Sequence, residues 1–228
     1  VTVAFGIVGF LDDFIKIRRK NNLGLRAYQK LLAQVVIAAL VAVWAYRSPM
    51  IGSALYMPLS GGEWDLGVWY VPVVILTILL QVNAAQMTEG MDGLVNSMSA
   101  INALFMIAIF AVMATTANQN GEFLTGNNLS GAAIFAAAIA GGAIAFLRYN
   151  SYPARLQPGS TGALALGGAI AMFAIVSRSI LLMPLMTCGF AATIVSAALQ
   201  ALSRAREDGK RLFRAAPLNP NDYGVGGS

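Results

Sequence analysis

Two adjacent carboxylates close the first apolar run of the chain, in Gly9-Phe10-Leu11-Asp12-Asp13-Phe14-Ile15-Lys16. At the end of an apolar helix such a pair is costly unless solvated, paired or metal-bound. Lys16 follows Asp12 by four residues and Asp13 by three, so all three share one helical face. Two readings are open. One is a Mg²⁺ and phosphate site, because Mg²⁺ takes one or two carboxylates and leaves the rest of its shell to water and phosphate oxygens. The other is a helix end solvated by its acids, with Lys16 as a surface partner.

Three further groups carry polar chemistry. Asn83-Ala84-Ala85-Gln86-Met87-Thr88-Glu89-Gly90-Met91-Asp92-Gly93-Leu94 starts where an apolar run ends. A helical turn would align Asn83 with Gln86 and Glu89 with Asp92, and the glycines allow close backbone approach. The segment suits a hydroxyl-rich ligand, or equally a capped loop. In Arg148–Gly162, the run Gly159-Ser160-Thr161-Gly162 precedes a new helix. Its backbone N–H groups could face an anion, though many loops look alike. Finally, the basic stretch Arg204–Arg214 leads into Ala215-Ala216-Pro217-Leu218-Asn219-Pro220-Asn221. It reads as a phosphate-attracting or a topogenic segment.

The elements that must hold these groups are set by composition. Of 228 residues, 57% are hydrophobic and 11% charged, against roughly 25% charged in a soluble domain. The mean hydropathy is +0.68. Too little polar surface is available to coat a water-soluble globule. Ordinary soluble enzymes, disordered chains and fibrous repeats are excluded, and an all-α, polytopic membrane helical bundle is expected. There is no histidine, which removes the commonest general base and zinc ligand. The single cysteine, Cys188, cannot form an intramolecular disulfide.

The apolar runs predict about seven spans in one domain covering 1–228: Val1–Leu11, Leu31–Tyr46, Trp69–Val82, Val95–Thr116, Gly131–Leu147, Ala163–Val176 and Ile180–Leu202. Between them, Arg47–Val68 reads as a small hairpin at the interface and the polar Thr116–Ser130 as a loop. Alternating the runs places Lys16, Arg18, Arg19, Lys20, Arg26, Lys30, Arg148, Arg155, Arg204, Arg206, Lys210, Arg211 and Arg214 on one side, and only Arg47 and Arg178 on the other. The basic side is expected to be cytoplasmic, with all four polar groups on it. The excess of 15 Lys+Arg over 10 Asp+Glu therefore speaks to topology and membrane lipids, and no nucleic-acid partner is expected.

Gly9–Gln34 (GFLDDFIKIRRKNNLGLRAYQKLLAQ), Asn83–Leu94 (NAAQMTEGMDGL), Phe146–Gly168 (FLRYNSYPARLQPGSTGALALGG) and Gly209–Leu218 (GKRLFRAAPL) occur in that order. Together they resemble the phospho-N-acetylmuramoyl-pentapeptide transferase family, within the polyprenyl-phosphate N-acetylhexosamine-1-phosphate transferases. The resemblance implies a bacterial inner-membrane enzyme of about ten spans. The chain is then expected to lack about two spans at its start and one at its end. It implies Mg²⁺-dependent transfer of phospho-N-acetylmuramoyl-pentapeptide from UDP to undecaprenyl phosphate, giving lipid I and UMP, and it admits a homodimer. Relatives using UDP-N-acetylglucosamine are the alternative within the class. Carried over by motif position, Asp12 and Asp13 are expected to be catalytic. Lys30, Asn83, Gln86, Glu89, Asp92, Asn150 and Gln157 would bind substrate, and Asp12, Asp13 and position 160 would hold the metal.

The chain departs from the family pattern at several of these places. Gln86 stands for asparagine, Glu89 for aspartate and Ser160 for the third-motif aspartate. Asn219-Pro220-Asn221 stands for a histidine triplet, and Thr193 for a glutamate. A hydroxyl is a poorer ligand than a carboxylate for a hard cation. Two further readings are therefore a relative that binds UDP-sugar or polyprenyl phosphate without turnover, and a membrane fragment with no ligand.

Overall fold

The computed structural model describes residues 1–19, 24–56, 62–183 and 190. Six helices follow in order: α1 (Thr2–Arg19), α2 (Ala27–Arg47), α3 (Tyr70–Met87), α4 (Leu94–Gln119), α5 (Phe123–Asn150) and α6 (Gly159–Val176). Helices α2 to α6 are each long and apolar enough to cross a membrane, as a hydrocarbon core of about 30 Å requires. Helix α1 runs on through the aspartate pair to Arg19. A seventh run, Ile180–Leu202, lies mostly outside the described residues; Ile180–Leu202 begins with a short 3₁₀ turn, Ile180–Leu182.

Two layers of packing build the bundle. Phe5, Ala38, Val74, Ile78, Leu164 and Ile175 join α1, α2, α3 and α6 in one core. Ala103, Met106, Phe110, Ala136 and Ala140 join α4 to α5, with Phe173 reaching in from α6. Small residues let these helices approach closely where lipid offers no hydrophobic drive. The tightest seam is between α1 and α6. A Cβ added at Gly9 would collide with the Ser160 carbonyl and sit 2.6 Å from Thr161 Cα. One added at Gly168 would meet the Phe5 ring at 2.7 Å.

The far end of the bundle meets expectation in one place and departs from it in another. The hairpin expected within Arg47–Val68 is present, with strands β1 (Ala54–Tyr56) and β2 (Glu63–Asp65) paired antiparallel and Leu55 opposite Trp64. After it the chain turns through a 3₁₀ segment into α3. Arg178, at the end of α6, ties the hairpin down by donating to the Ala54 carbonyl and to Glu63, both at 3.0 Å. The departure is Thr116–Ser130, expected as a loop, which is helical except around Asn120–Glu122. Its polar residues extend α4 and α5 beyond the apolar layer, where a polar helix surface costs nothing. Ser130 and Thr116 hydroxyls donate to carbonyls one turn back.

Candidate functional site

The bundle brings the C-terminal ends of α1, α3 and α5 and the N-terminal ends of α2, α4 and α6 to one end of the molecule. The Asp12-Asp13 pair sits there, beyond the apolar part of α1. Asp12 is almost fully buried, and both of its oxygens are occupied. Oδ1 accepts the Leu25 N–H at 2.8 Å. Oδ2 lies 2.8 Å from Lys16 Nζ and 3.1 Å from Lys30 Nζ. Asp12 thus folds the start of α2 back onto α1. Burial pushes its carboxyl upward, but Lys16, the Leu25 N–H and Lys30 outweigh burial and bring its pKa down to about 2.

Asp13 faces the other way, onto the first turn of α6. Its Oδ2 accepts the Thr161 N–H at 2.9 Å and the Thr161 hydroxyl at 2.8 Å, so it caps a helix from outside, where the exposed N–H groups favour a negative charge. Gly159 makes the approach possible: its φ is +62°, and a Cβ there would stand 2.9 Å from Asp13 Oδ2. Burial opposes ionisation of Asp13, and the Thr161 and Lys16 contacts overcome it, holding the carboxyl below its usual range. Lys16 reaches Asp13 Oδ1 at 3.2 Å as well as Asp12. Burial works against its charge, yet the two aspartates keep its pKa above the ordinary lysine value.

Lys16 also donates to the Ser160 hydroxyl at 3.1 Å. That hydroxyl in turn donates to Glu89 Oε1 at 3.3 Å. The two positions at which the sequence exchanges an aspartate for another polar residue, 89 and 160, therefore touch although they stand 71 residues apart in sequence. Glu89 Oε2 is shut off from solvent and has no hydrogen-bond partner. Desolvation raises the Glu89 carboxyl above its ordinary value, against the pull of Lys16 and Lys30.

Lys30, Asp12, Asp13, Glu89 and Ser160 thus come together at this end, and Lys16 joins them. Asn83 lies deeper, on α3, donating to Gln34 Oε1 at 2.9 Å. Gln86 is half-buried at the end of the same helix. Asp92, Asn150 and Gln157 form a separate knot. Asp92 accepts the Ala154 N–H at 3.0 Å and Gln157 Nε2 at 3.4 Å. Asn150 accepts from the Gly93 N–H and from Asn96, and donates to the Leu156 carbonyl. These contacts pin the end of α5 and the 151–158 loop to the turn before α4. Beside it, Asn96, Phe146, Gln157, Pro158, Thr161 and Leu166 help to line a largely apolar groove of about 390 Å³.

Two residues at this end carry roles that the motifs alone do not reveal. Thr161 lies in a quoted motif, but its partner is 148 residues away. Gln34 follows Lys30 by four residues inside an apolar run, a polar intrusion that was the available signal; it is fully buried with Nε2 unpartnered. A sequence model of glycosyl transferase family 4 matches residues 1–178, most of the chain. The chain belongs to glycosyl transferase family 4.

Its relatives within this family agree with the resemblance read from the motifs. A protein from Heliobacterium modesticaldum named phospho-N-acetylmuramoyl-pentapeptide-transferase is 38% identical over 226 residues, covering 99% of this chain and 65% of the relative. One of the same name from Clostridioides difficile is 37% identical, covering 94% of the chain and 62% of the relative. A third, from Desulfitobacterium hafniense, is 38% identical, covering 99% and 66%. The chain thus spans slightly less than two thirds of the length of these relatives.

The family implies a divalent cation, and the donor set can be tested for one. Among the described residues, no three of His, Cys, Asp and Glu converge into a ready-made metal cage. What does converge is Asp13, Ser160 and Glu89, all hard oxygen donors of the kind Mg²⁺ takes. The buried, unpartnered Glu89 oxygen is an acceptor still lacking a positive partner. The residues fit the cation.

Proposed function

We propose that the protein transfers phospho-N-acetylmuramoyl-pentapeptide from UDP to undecaprenyl phosphate, producing lipid I and UMP for peptidoglycan synthesis in the bacterial cytoplasmic membrane. The observation that carries this reading is the pairing of two lysines with the aspartate pair at one end of a membrane bundle. In the reaction an oxygen of the lipid phosphate forms a bond to the β-phosphorus of the UDP-sugar. The bond from that phosphorus to the bridging oxygen breaks, and UMP leaves. Phosphoryl transfer of this kind depends mainly on positioning and on neutralising phosphate charge.

Lys16 and Lys30 supply that charge in this reading. Asp12, ionised at neutral pH and saturated with donors, orients both ammonium groups and is a poor proton acceptor. Asp13, locked by Thr161, positions the lipid phosphate. Lys30, Asn83, Gln86 and Asp92 bind the nucleotide sugar, with Asn150 and Gln157 shaping the loop beside them. The apolar groove ending at Thr161 suits the polyprenyl chain. Mg²⁺ is the cofactor we propose, held by Asp13 and Ser160, and when bound it adds positive charge at the diphosphate.

A second reading is binding of UDP-sugar or polyprenyl phosphate without turnover. Ser160 favours it, because a hydroxyl holds a hard cation less well than a carboxylate. One assay separates the two. The gene's whole product, purified in detergent, is given UDP-N-acetylmuramoyl-pentapeptide, undecaprenyl phosphate and Mg²⁺, and UMP release is followed. Transfer predicts Mg²⁺-dependent release that falls about 10²–10³-fold in Asp13→Asn, the usual effect of removing one preorganised polar group. No release, with UDP binding intact, overturns transfer and leaves the binder.

A further inference from the structure

We infer that Glu89 is a ligand of the divalent cation in this protein, supplying from the α3–α4 turn the carboxylate that position 160 lacks. The inference deepens the function proposed above and rests on its reading of the site as cation-binding. Three observations carry it. First, Glu89 Oε1 accepts the Ser160 hydroxyl at 3.3 Å, so the carboxylate reaches the place where a side chain at 160 would present its own. Second, Glu89 Oε2 is shielded from solvent and makes no hydrogen bond. A buried carboxylate oxygen without a partner is costly, and a hard cation is the partner that an oxygen in this setting takes.

Third, among the described residues the ion pairs at this end are unevenly shared. Asp12, Asp13 and Glu89 are served by Lys16 and Lys30. Lys30 is committed to Asp12. Lys16 contacts Asp12, Asp13 and the Ser160 hydroxyl, and among the described residues no ion pair joins it to Glu89. Of the three carboxyl groups, Glu89 is the one without an ion pair among the described residues, and it is the one with the unpartnered oxygen. Aspartate at 89 would be a methylene shorter than the side chain that makes the Ser160 contact, so glutamate at 89 and serine at 160 are complementary choices.

The test reads metal binding without turnover. Mn²⁺ is titrated into the detergent-purified protein and followed by electron paramagnetic resonance, with thermal unfolding as the control for folding. The unaltered protein is expected to bind Mn²⁺, and Glu89→Gln to bind it at least about tenfold more weakly, as loss of a group around a metal typically does. Adding Ser160→Asp to Glu89→Gln should restore binding, which a merely structural role for Glu89 would not allow. If Glu89→Gln does not fold, Glu89→Asp, which keeps the charge but withdraws the carboxylate, takes its place with the same expected loss. Equal Mn²⁺ binding by the unaltered protein and the folded variant overturns the inference, as does no Mn²⁺ binding by the unaltered protein. Failure of lipid I synthesis with Glu89-dependent Mn²⁺ binding intact would sink transfer and leave this assignment standing.

Discussion

Asp12 holds three donors, and the consequence is a stability that depends on acid. Its pKa of about 2 lies well below that of an ordinary aspartate. A carboxyl depressed on folding contributes its full share of stability above the unfolded value and loses it as the pH falls through the folded one. The window here runs from about pH 4 to about pH 2. The shift corresponds to about 1–2 kcal/mol once discounted for the solvent that reaches Lys16, whose side chain is 32% exposed. Thermal unfolding in detergent should therefore drop with acidification by a few degrees more in the unaltered protein than in Asp12→Asn, since about 1 kcal/mol moves the midpoint about 2–4 °C at this size. Asp12→Asn should itself unfold at lower temperature at pH 7, because Lys30 would be left buried without its charge partner. Equal acid sensitivity in the two proteins would remove Asp12 from the account.

At the scale of elements, the site depends on how closely α1 lies against α6. Gly9 is one turn before Asp13, and its missing side chain lets the Ser160 carbonyl and Thr161 Cα come into contact with α1. Gly9→Ala should push the helices apart, breaking both Thr161 bonds to Asp13. The expected result is about 1–3 kcal/mol of destabilisation from overpacking and a loss of transfer near 10²-fold, the scale of a 1 Å misplacement. Gly141→Ala is the matched control. A Cβ there meets nothing within 4 Å, and the change should leave function intact and slightly stabilise α5. If both variants behave alike, the seam is not what positions Asp13.

The same seam explains what could be read in advance. The pairing of Asp12 with Lys16 follows from helical spacing, and the helices follow from runs of apolar residues. The partners of Asp13 do not, because Thr161 is 148 residues away and no local pattern says which helix end it caps. The Glu89–Ser160 contact is hidden for the same reason. Thr116–Ser130 misleads in the opposite sense: asparagines and a glycine-rich composition look like a loop, yet a helix leaving an apolar layer is free to be polar. Gly126 is kept there by packing, since a Cβ would run into the Asn118 amide.

Over the whole molecule, the two ends differ in charge. Lys16, Arg18, Arg19, Arg26, Lys30, Arg148 and Arg155 belong to the end with the aspartates, whereas Arg47 and Arg178 are the basic residues at the hairpin end among the described residues. Positive loops stay on the cytoplasmic side. A nucleotide sugar, too charged to cross the bilayer, would also have to be met from that side. Both arguments give the same orientation, and labelling can contradict them. In a Cys188→Ser background, Tyr152→Cys places a thiol at a position that is 80% exposed beside the site, and Glu122→Cys places one in the exposed α4–α5 turn. An impermeant maleimide should mark Glu122→Cys in intact cells and Tyr152→Cys only in inverted vesicles. The reverse pattern would put the lysines and aspartates outside the cell, where no UDP-sugar waits, and the proposed transfer would fall with the topology.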